Sequence, residues 1–192
     1  YMMLLSRNKR HDLRRRNRKL IMDGVLYDAD DPRRNADCIR TLFSMHKQRA
    51  DSKRIETTFS GEAMQAFHVE IAGIFHSNGW LTLRVMRLGD RVLASLYCFT
   101  FAGRVFAYQM GIDPAWETRG IGSAIIFNMV EEAFQRNCTE FDFLRGGEEY
   151  KGSWTAHSRS QYTINIYNNS VMGQMISETG KVRALAKRWI KG

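Results

Sequence analysis

The chain has 192 residues, of which 44% are hydrophobic and 26% charged, and it contains only two prolines. This length suits one buried core, and the composition excludes a largely disordered chain. Lysine and arginine outnumber aspartate and glutamate by 29 to 20, which gives a formal net charge of +9. Such an excess favours an anionic partner: a nucleotide cofactor, a nucleic acid, an acidic polymer or a membrane surface.

The N-terminal part of the sequence predicts three helices and one short strand. Residues 4–22 are rich in arginine and lysine and end before Gly24, which predicts a basic helix with a glycine cap. Residues 25–28 predict a strand. A helix follows over 32–50, opened by a proline at its start, and apolar residues at spacings of three and four predict another over 61–78.

The periodicity changes at Trp80, where the sheet begins. Three strand-like runs, separated by short turn sequences that contain Gly89 and Gly103, predict an antiparallel meander. Helical periodicity returns over 120–137, and the apolar run 141–144 after it predicts a buried strand. A strand, a helix and a strand in this order imply a parallel crossover.

The end of the chain predicts one more strand and one more helix. Residues 161–167 alternate like a strand, and residues 170–190 predict a basic C-terminal helix. The predicted fold class is therefore α/β (α+β), with an antiparallel meander, a parallel β-α-β crossover and helices on both faces of a mixed sheet. We expect a single domain over 1–192, with the sheet and cofactor region at 80–168.

The positions of the cysteines and histidines do not predict a metal site. Cys38, Cys98 and Cys138 are dispersed among apolar neighbours, which is typical of buried thiols in a reducing cytoplasm. No metal-ligand spacing links them or the histidines, and no apolar run reaches the length of about 18 residues that a membrane span requires. We predict a cytoplasmic protein without a metal or a membrane span. The histidines interpreted as surface or hydrogen-bonded groups are His11, His46, His68, His76 and His157.

A glycine-rich segment lies between a predicted strand and a predicted helix. Gly120 and Gly122 let backbone N–H groups approach an anion at the helix N-terminus, where the helix dipole also favours negative charge. A pyrophosphate fits such a site. The alternative is an ordinary tight turn before a helix.

Two segments together resemble the GNAT acyl-CoA transferase superfamily. In GNAT enzymes an Arg/Gln-x-x-Gly-x-Gly/Ala segment after the fourth strand holds acyl-CoA, and residues 117–122, ETRGIG, are similar to it, with Glu117 in the place of Arg or Gln. The run FDFLRGGEEYKGSW at 141–154 resembles the signature of the CelD-like or BioF2-like branch, which is related to the Fem peptidoglycan-bridge transferases. The resemblance covers roughly residues 6–168. Members of the branch usually carry a further N-terminal half, which we expect this chain to lack.

The resemblance implies acetyl-CoA as the acyl donor and a sugar or other small amine or hydroxyl compound as the acceptor. Arg119 is the candidate to replace the cation that Glu117 does not supply, and backbone N–H groups where the strand ends are candidates to polarise the thioester. The cofactor-binding residues that it implies are Met110, Gly111, Arg119, Gly120, Ile121, Gly122 and Ser123.

Acyl transfer also needs a base for the nucleophile and an acid for the leaving thiolate. Alternation places Asp142 on the face opposite Phe141 and Phe143, so Asp142 is the leading base; its alternative role is a cap or an ion pair with Arg145. Tyr150 is the leading acid, with a packing role as its alternative. The remaining candidates are Glu148 and Glu149 as base or acceptor contact, Tyr162 as acid, and Lys151 as an anion or substrate contact.

Two alternatives come from other classes. The basic helix 4–22 is usually a solvated face, but it is also compatible with tRNA binding, and Fem relatives use aminoacyl-tRNA as donor. Because Glu117 stands where the GNAT motif has Arg or Gln, a second alternative is a non-catalytic lobe that keeps the GNAT fold.

Overall fold

The computed structural model describes residues 5–29, 35–54, 61–146, 148–160, 162, 164–176 and 178–179. The chain divides into two compact units, residues 1–156 and residues 157–192. The first unit holds a five-stranded sheet with helices on both faces. Its elements are α1 (Arg7–Met22), β1 (Leu26–Ala29), α2 (Asn35–Lys53), α3 (Glu62–Ser77), β2 (Leu81–Leu88), β3 (Arg91–Phe101), β4 (Arg104–Ile112), a 3-10 helix (Pro114–Arg119), α4 (Ile121–Gln135), β5 (Glu140–Asp142) and α5 (Glu149–Gly152).

The strand order is β1-β2-β3-β4-β5. The strands β1 to β4 pair antiparallel with one another in chain order, and β5 pairs parallel with β4. This arrangement confirms the predicted meander, the parallel crossover and the mixed α/β class. The strand β5 is shorter than the predicted 141–144, because the chain turns away at Leu144, which has a φ of 57°.

Two apolar cores lie on the two faces of this sheet. One core contains Ile39 and Leu42 of α2, which pack with Tyr97 of β3. The other contains Ile125 and Met129 of α4. A helix on each face buries apolar side chains that alternate along the strands between them.

The basic helix α1 is part of this second core. Leu13 and Leu20 are buried, at 1% and 2% exposure, while most of the remaining side chains of α1 are charged or polar. The helix packs against α4, and Asn17 and Asn128 exchange hydrogen bonds of 3.4 and 2.9 Å between the two helices. The predicted solvated face therefore belongs to a helix whose other face is docked.

Among the described residues no helix is long and apolar enough to cross a membrane. The predicted strand at 161–167 is wrong for its described residues, 162 and 164–167, which form no strand. The side chains of Ile164 and Ile166 are 82% and 91% exposed, so alternation here does not create a buried face. Residues 171–176 and 178–179 are helical, as predicted for the start of 170–190; residues 180–192 lie outside the described part.

A half-buried ion pair ties α4 to the meander. Arg84 of β2 donates two hydrogen bonds to the Glu132 carboxylate, one of them at 2.7 Å from Nε, and Tyr27 Oη donates a third at 3.0 Å. Burial alone raises the pKa of Glu132, but the hydrogen bond and charge of Arg84 outweigh burial and lower it below 4.5. The carboxylate is therefore charged in the folded protein at neutral pH.

Removal of this carboxylate should destabilise the fold. Glu132→Ala leaves the Arg84 guanidinium poorly solvated and without its acceptor, so we expect a loss of about 2–3 kcal/mol in the free energy of unfolding, measured by urea denaturation. Arg136→Ala is the matched control, because Arg136 reaches the same carboxylate at 3.5 Å from an exposed position and should cost under about 0.5 kcal/mol. Equal effects of the two changes would contradict this ranking.

Candidate functional site

The two parallel strands β4 and β5 part soon after they pair. Their ladder joins Arg104–Phe106 to Glu140–Asp142, whereas β4 continues to Ile112. In the β3–β4 ladder Cys98 pairs with Ala107 and Tyr97 with Gln109, so Tyr108 is an extra residue in β4. Such a bulge bends its strand. We call the opening between β4 and the end of β5 the fork.

Peptide groups near the end of β4 face this fork. Asp113 N donates to Leu93 O at 2.9 Å at the end of the β3–β4 ladder. Hydrogen-bonded pairs alternate along an antiparallel ladder, so the peptide groups of Met110 and Ile112 point away from β3. Those of Gly111 point toward β3. The N–H group of Met110 is thus directed to the fork, whereas that of Gly111 is not.

Two glycines let helices approach β4 closely. A Cβ atom at Gly111 would lie 2.9 Å from Leu42 Cδ1 and 3.1 Å from Met45 Sδ of α2. A Cβ atom at Gly122 would lie 2.6 Å from Ile112 Cδ1. The distances of 2.9 Å at Gly111 and 2.6 Å at Gly122 are shorter than real Cβ contacts, so a side chain at either position would force the methyl end of Leu42 or Ile112 to move. Both glycines therefore lie in close contact with their neighbours at the end of β4.

The start of α4 follows a glycine turn and has the features of a helix N-terminus that can attract an anion. Gly120 adopts the left-handed conformation, with φ 76° and ψ 23°, between the 3-10 helix and α4. Among the described residues no side chain caps α4, so the first-turn amides of Ile121, Gly122 and Ser123 point outward at the positive end of the helix dipole. Ile121 is fully buried, whereas Gly122 and Ser123 are partly exposed, so the amides of Gly122 and Ser123 are the more accessible ones.

The charged side chains of the loop before α4 pair with residues from other elements of the fold. Glu117 pairs with Arg49 of α2 at 3.0 Å. Arg119 lies over the Trp116 ring, 4.4 Å from its centroid, and 3.8 Å from Asp23. Arg49 offers no signal in the sequence, because it lies on a helix 68 residues before its partner. A cation from α2 therefore neutralises the glutamate that replaces the expected Arg or Gln.

The predicted base lies at the fork. Asp142 is the last residue of β5, opposite Phe106, and its Oδ1 accepts a hydrogen bond from Leu144 N at 2.7 Å. One carboxylate oxygen thus caps the turn that ends β5, which is one of the alternatives predicted for Asp142. The same turn directs the chain toward α5.

The other predicted catalytic residues lie on α5. Tyr150 is 43% exposed, and burial followed by the charge of Glu148 raises its pKa, while the charge of Arg49 acts against them. Lys151 pairs with Glu148 at 2.8 Å and donates to Arg145 O at 3.0 Å, so it holds its own loop together. Glu149 is exposed. Trp154 is buried, as predicted.

His46 of α2 is a further polar residue beside the end of β4, which the sequence did not predict. Its Nε2 lies 2.8 Å from Met110 O, and because a carbonyl only accepts, Nε2 carries the hydrogen in the neutral ring. Burial lowers the pKa of His46 below 6.5; the hydrogen bond to Met110 raises it, and the charge of Arg49 lowers it further. The histidine was correctly predicted to be hydrogen-bonded, but no spacing in the sequence places it beside β4.

The His46 contact should make stability depend on pH. Because the pKa is lower in the folded than in the unfolded chain, the stabilisation is fully present above pH 6.5 and is lost as the pH falls through the folded value. Urea denaturation at pH 7.5 and pH 5 should show a loss that is smaller in His46→Gln, whose amide can still donate to Met110 O. The exposed His76→Gln should keep the wild-type loss. An unchanged loss in His46→Gln would refute this origin.

Comparison with known proteins identifies the family. Residues 7–152 match the sequence profile described as "Acetyltransferase (GNAT) domain". The chain belongs to this family. It is a GNAT acyltransferase, so the catalytic prediction is confirmed at the level of the family and the non-catalytic alternative is not. A search of curated protein sequences found no significant match.

Several solved structures share the GNAT fold. A Clostridium acetobutylicum protein described as a predicted acetyltransferase, solved with acetyl-CoA, is 16% identical; the match covers 73% of this chain and 96% of that one, with a TM-score of 0.55. An aminoglycoside acetyltransferase from an uncultured soil metagenomic sample, in complex with sisomicin, is 12% identical over 78% and 99%, with a TM-score of 0.52. A ribosomal-protein-alanine N-acetyltransferase from Brucella melitensis is 12% identical over 74% and 99%, also at 0.52.

Proposed function

We propose that this GNAT domain uses acetyl-CoA to acetylate an amine or hydroxyl group on a sugar or similar small acceptor. The observation that carries the proposal is the fork, which opens beside β4, together with the first-turn amides of α4 that no described side chain caps. The FDFLRGGEEYKGSW run supports placement in the CelD-like or BioF2-like branch. The three cysteines, all within the described residues, form no disulfide, which supports a cytoplasmic site of action.

The donor has two points of attachment in this proposal. The pyrophosphate lies at the first turn of α4, against the amides of Gly122 and Ser123, and the pantetheine arm follows the open edge of β4. The Met110 N–H, directed to the fork, donates to the thioester oxygen and stabilises the charge that develops there. Gly111 contributes by its lack of a side chain, because its own amide points to β3.

The transfer step uses one base and one acid. The acceptor nitrogen or oxygen attacks the thioester carbonyl carbon, its new bond to carbon forms, and the C–S bond breaks. Asp142, through the carboxylate oxygen that does not cap Leu144, takes the proton from the acceptor, and Tyr150 gives a proton to the thiolate of CoA. Asp142 ends the ladder at the fork, and the Tyr150 ring packs against Phe143, the residue after Asp142, with 6.3 Å between ring centroids.

The acceptor in this proposal is cationic. Glu148 and Glu149 place two carboxylates at the start of α5, and both residues are exposed. Glu149 is the better candidate, since Glu148 is already paired with Lys151. An amino sugar presents charged amines to such a group, and one structure of the same fold was solved with the aminoglycoside sisomicin.

Binding of acetyl-CoA tests the donor. Isothermal titration of the purified chain should show saturable binding. Ser123→Asp should weaken it by about tenfold or more, since a carboxylate in the first turn repels the pyrophosphate while it favours the helix dipole. Ser123 is partly exposed, so the substitution should leave the melting temperature unchanged. Absence of binding to the unmodified chain would refute the donor assignment.

Substitution of Asp142 separates its two roles. Asp142→Asn keeps an oxygen for Leu144 N but removes the base, so kcat should fall by about 100-fold or more while the melting temperature stays the same. Thiol release from acetyl-CoA with sisomicin, or with any amine or hydroxyl acceptor that supports turnover, measures this. Tyr150→Phe should lower kcat without change in acetyl-CoA affinity. Full activity of Asp142→Asn would refute the role of Asp142 as the base.

A further inference from the structure

The basic helix α1 contributes a side chain to the loop that starts α4. A Cβ atom at Gly120 would lie 2.8 Å from Arg16 Nη1 and 3.0 Å from Arg16 Cδ. The Arg16 side chain therefore crosses directly over Gly120, and Gly120 itself is buried. A residue with a side chain at position 120 would push this guanidinium off the loop.

Arg16 is held in this position rather than swinging freely. Its Nε donates to Asp12 Oδ2 at 2.7 Å, one turn earlier on α1. The backbone of the same turn is anchored by buried Leu13 and by the hydrogen bonds between Asn17 and Asn128. The side chain is nevertheless 43% exposed, so a ligand at the loop can reach it. A fixed, accessible guanidinium beside outward-pointing amides has the geometry that phosphate recognition requires.

Other cations near the loop are engaged. Arg49 pairs with Glu117, which stands where the family places Arg or Gln, so this pair brings no net charge to the anion. Arg119 lies over Trp116 and near Asp23. Asp12 is shared between Arg15 and Arg16, so the three together carry a net positive charge. The cation missing from the motif is thus available from a helix 100 residues earlier in the chain.

We propose that Arg16 binds the pyrophosphate of the acyl donor together with the first-turn amides of α4, and that α1 is therefore part of the donor site. The proposal rests on the donor assignment made under the proposed function. It assigns a specific binding role to one residue of a helix that is otherwise a charged surface.

The test compares two neighbouring arginines that share Asp12. Isothermal titration with acetyl-CoA should show that Arg16→Gln weakens binding by about tenfold or more, as expected for loss of a charge-assisted contact to phosphate. Arg15→Gln removes the same charge from the same pair, but Arg15 is 70% exposed, so its affinity should change by less than about twofold. Arg16→Lys should recover part of the loss, because the charge remains but the planar fork does not. Circular dichroism should show equal melting temperatures for all three.

Three other outcomes of the titration would overturn the role of Arg16 or the donor assignment itself. Equal weakening by Arg15→Gln and Arg16→Gln would show a general charge effect and overturn the role of Arg16. Unchanged affinity of Arg16→Gln would overturn it as well, while binding to the unmodified chain would leave the donor assignment standing. Absence of binding to the unmodified chain would overturn both.

Discussion

The early end of the β4–β5 ladder is the constraint on which the site depends. Only three residues of each strand pair, and the bulge at Tyr108 bends β4 just beyond them. A parallel sheet normally uses the peptide groups of both strands in the ladder. Here the strand continues without its parallel neighbour, so main-chain donors such as Met110 N–H lie at an opening rather than inside the sheet. The turn capped by Asp142 then carries the chain away from β4 and keeps the opening wide.

Close helix packing gives this opening its shape. Gly111 and Gly122 lie where α2 and α4 meet the end of β4, and a Cβ atom at either position would crowd Leu42 or Ile112. His46 reaches Met110 O from one helix, and the N-terminal amides of α4 lie near the same end of the strand. Small residues at these two positions fit this close approach of three elements.

The strand and helix order could be predicted from periodicity, since each element in the first unit buries one face and its apolar residues repeat accordingly. The glycine loop was also found, because Gly120 and Gly122 follow a strand and precede a helix. The fork could not be predicted: it depends on a bulge at Tyr108, whose neighbours alternate like any strand. His46, Arg49 and Arg16 were missed as site residues for another reason. Each lies on a helix far in sequence from the residue that it contacts, and only tertiary packing brings it to the end of β4 or to the loop before α4. The alternation at 161–167 predicted a strand wrongly, because the apolar side chains of its described residues are not packed against a core.

The hydrogen bonds between Asn17 and Asn128 have a consequence for how the molecule would respond to its ligand. They fasten α1 to the helix whose first turn forms the proposed anion site. A ligand held by both helices would be thermodynamically linked to their association, so occupancy of the loop would lower the population of molecules in which α1 is detached and Leu13 and Leu20 are exposed. Docking of the N-terminal helix and occupancy of the loop would then form one cooperative equilibrium, in which each protects the other.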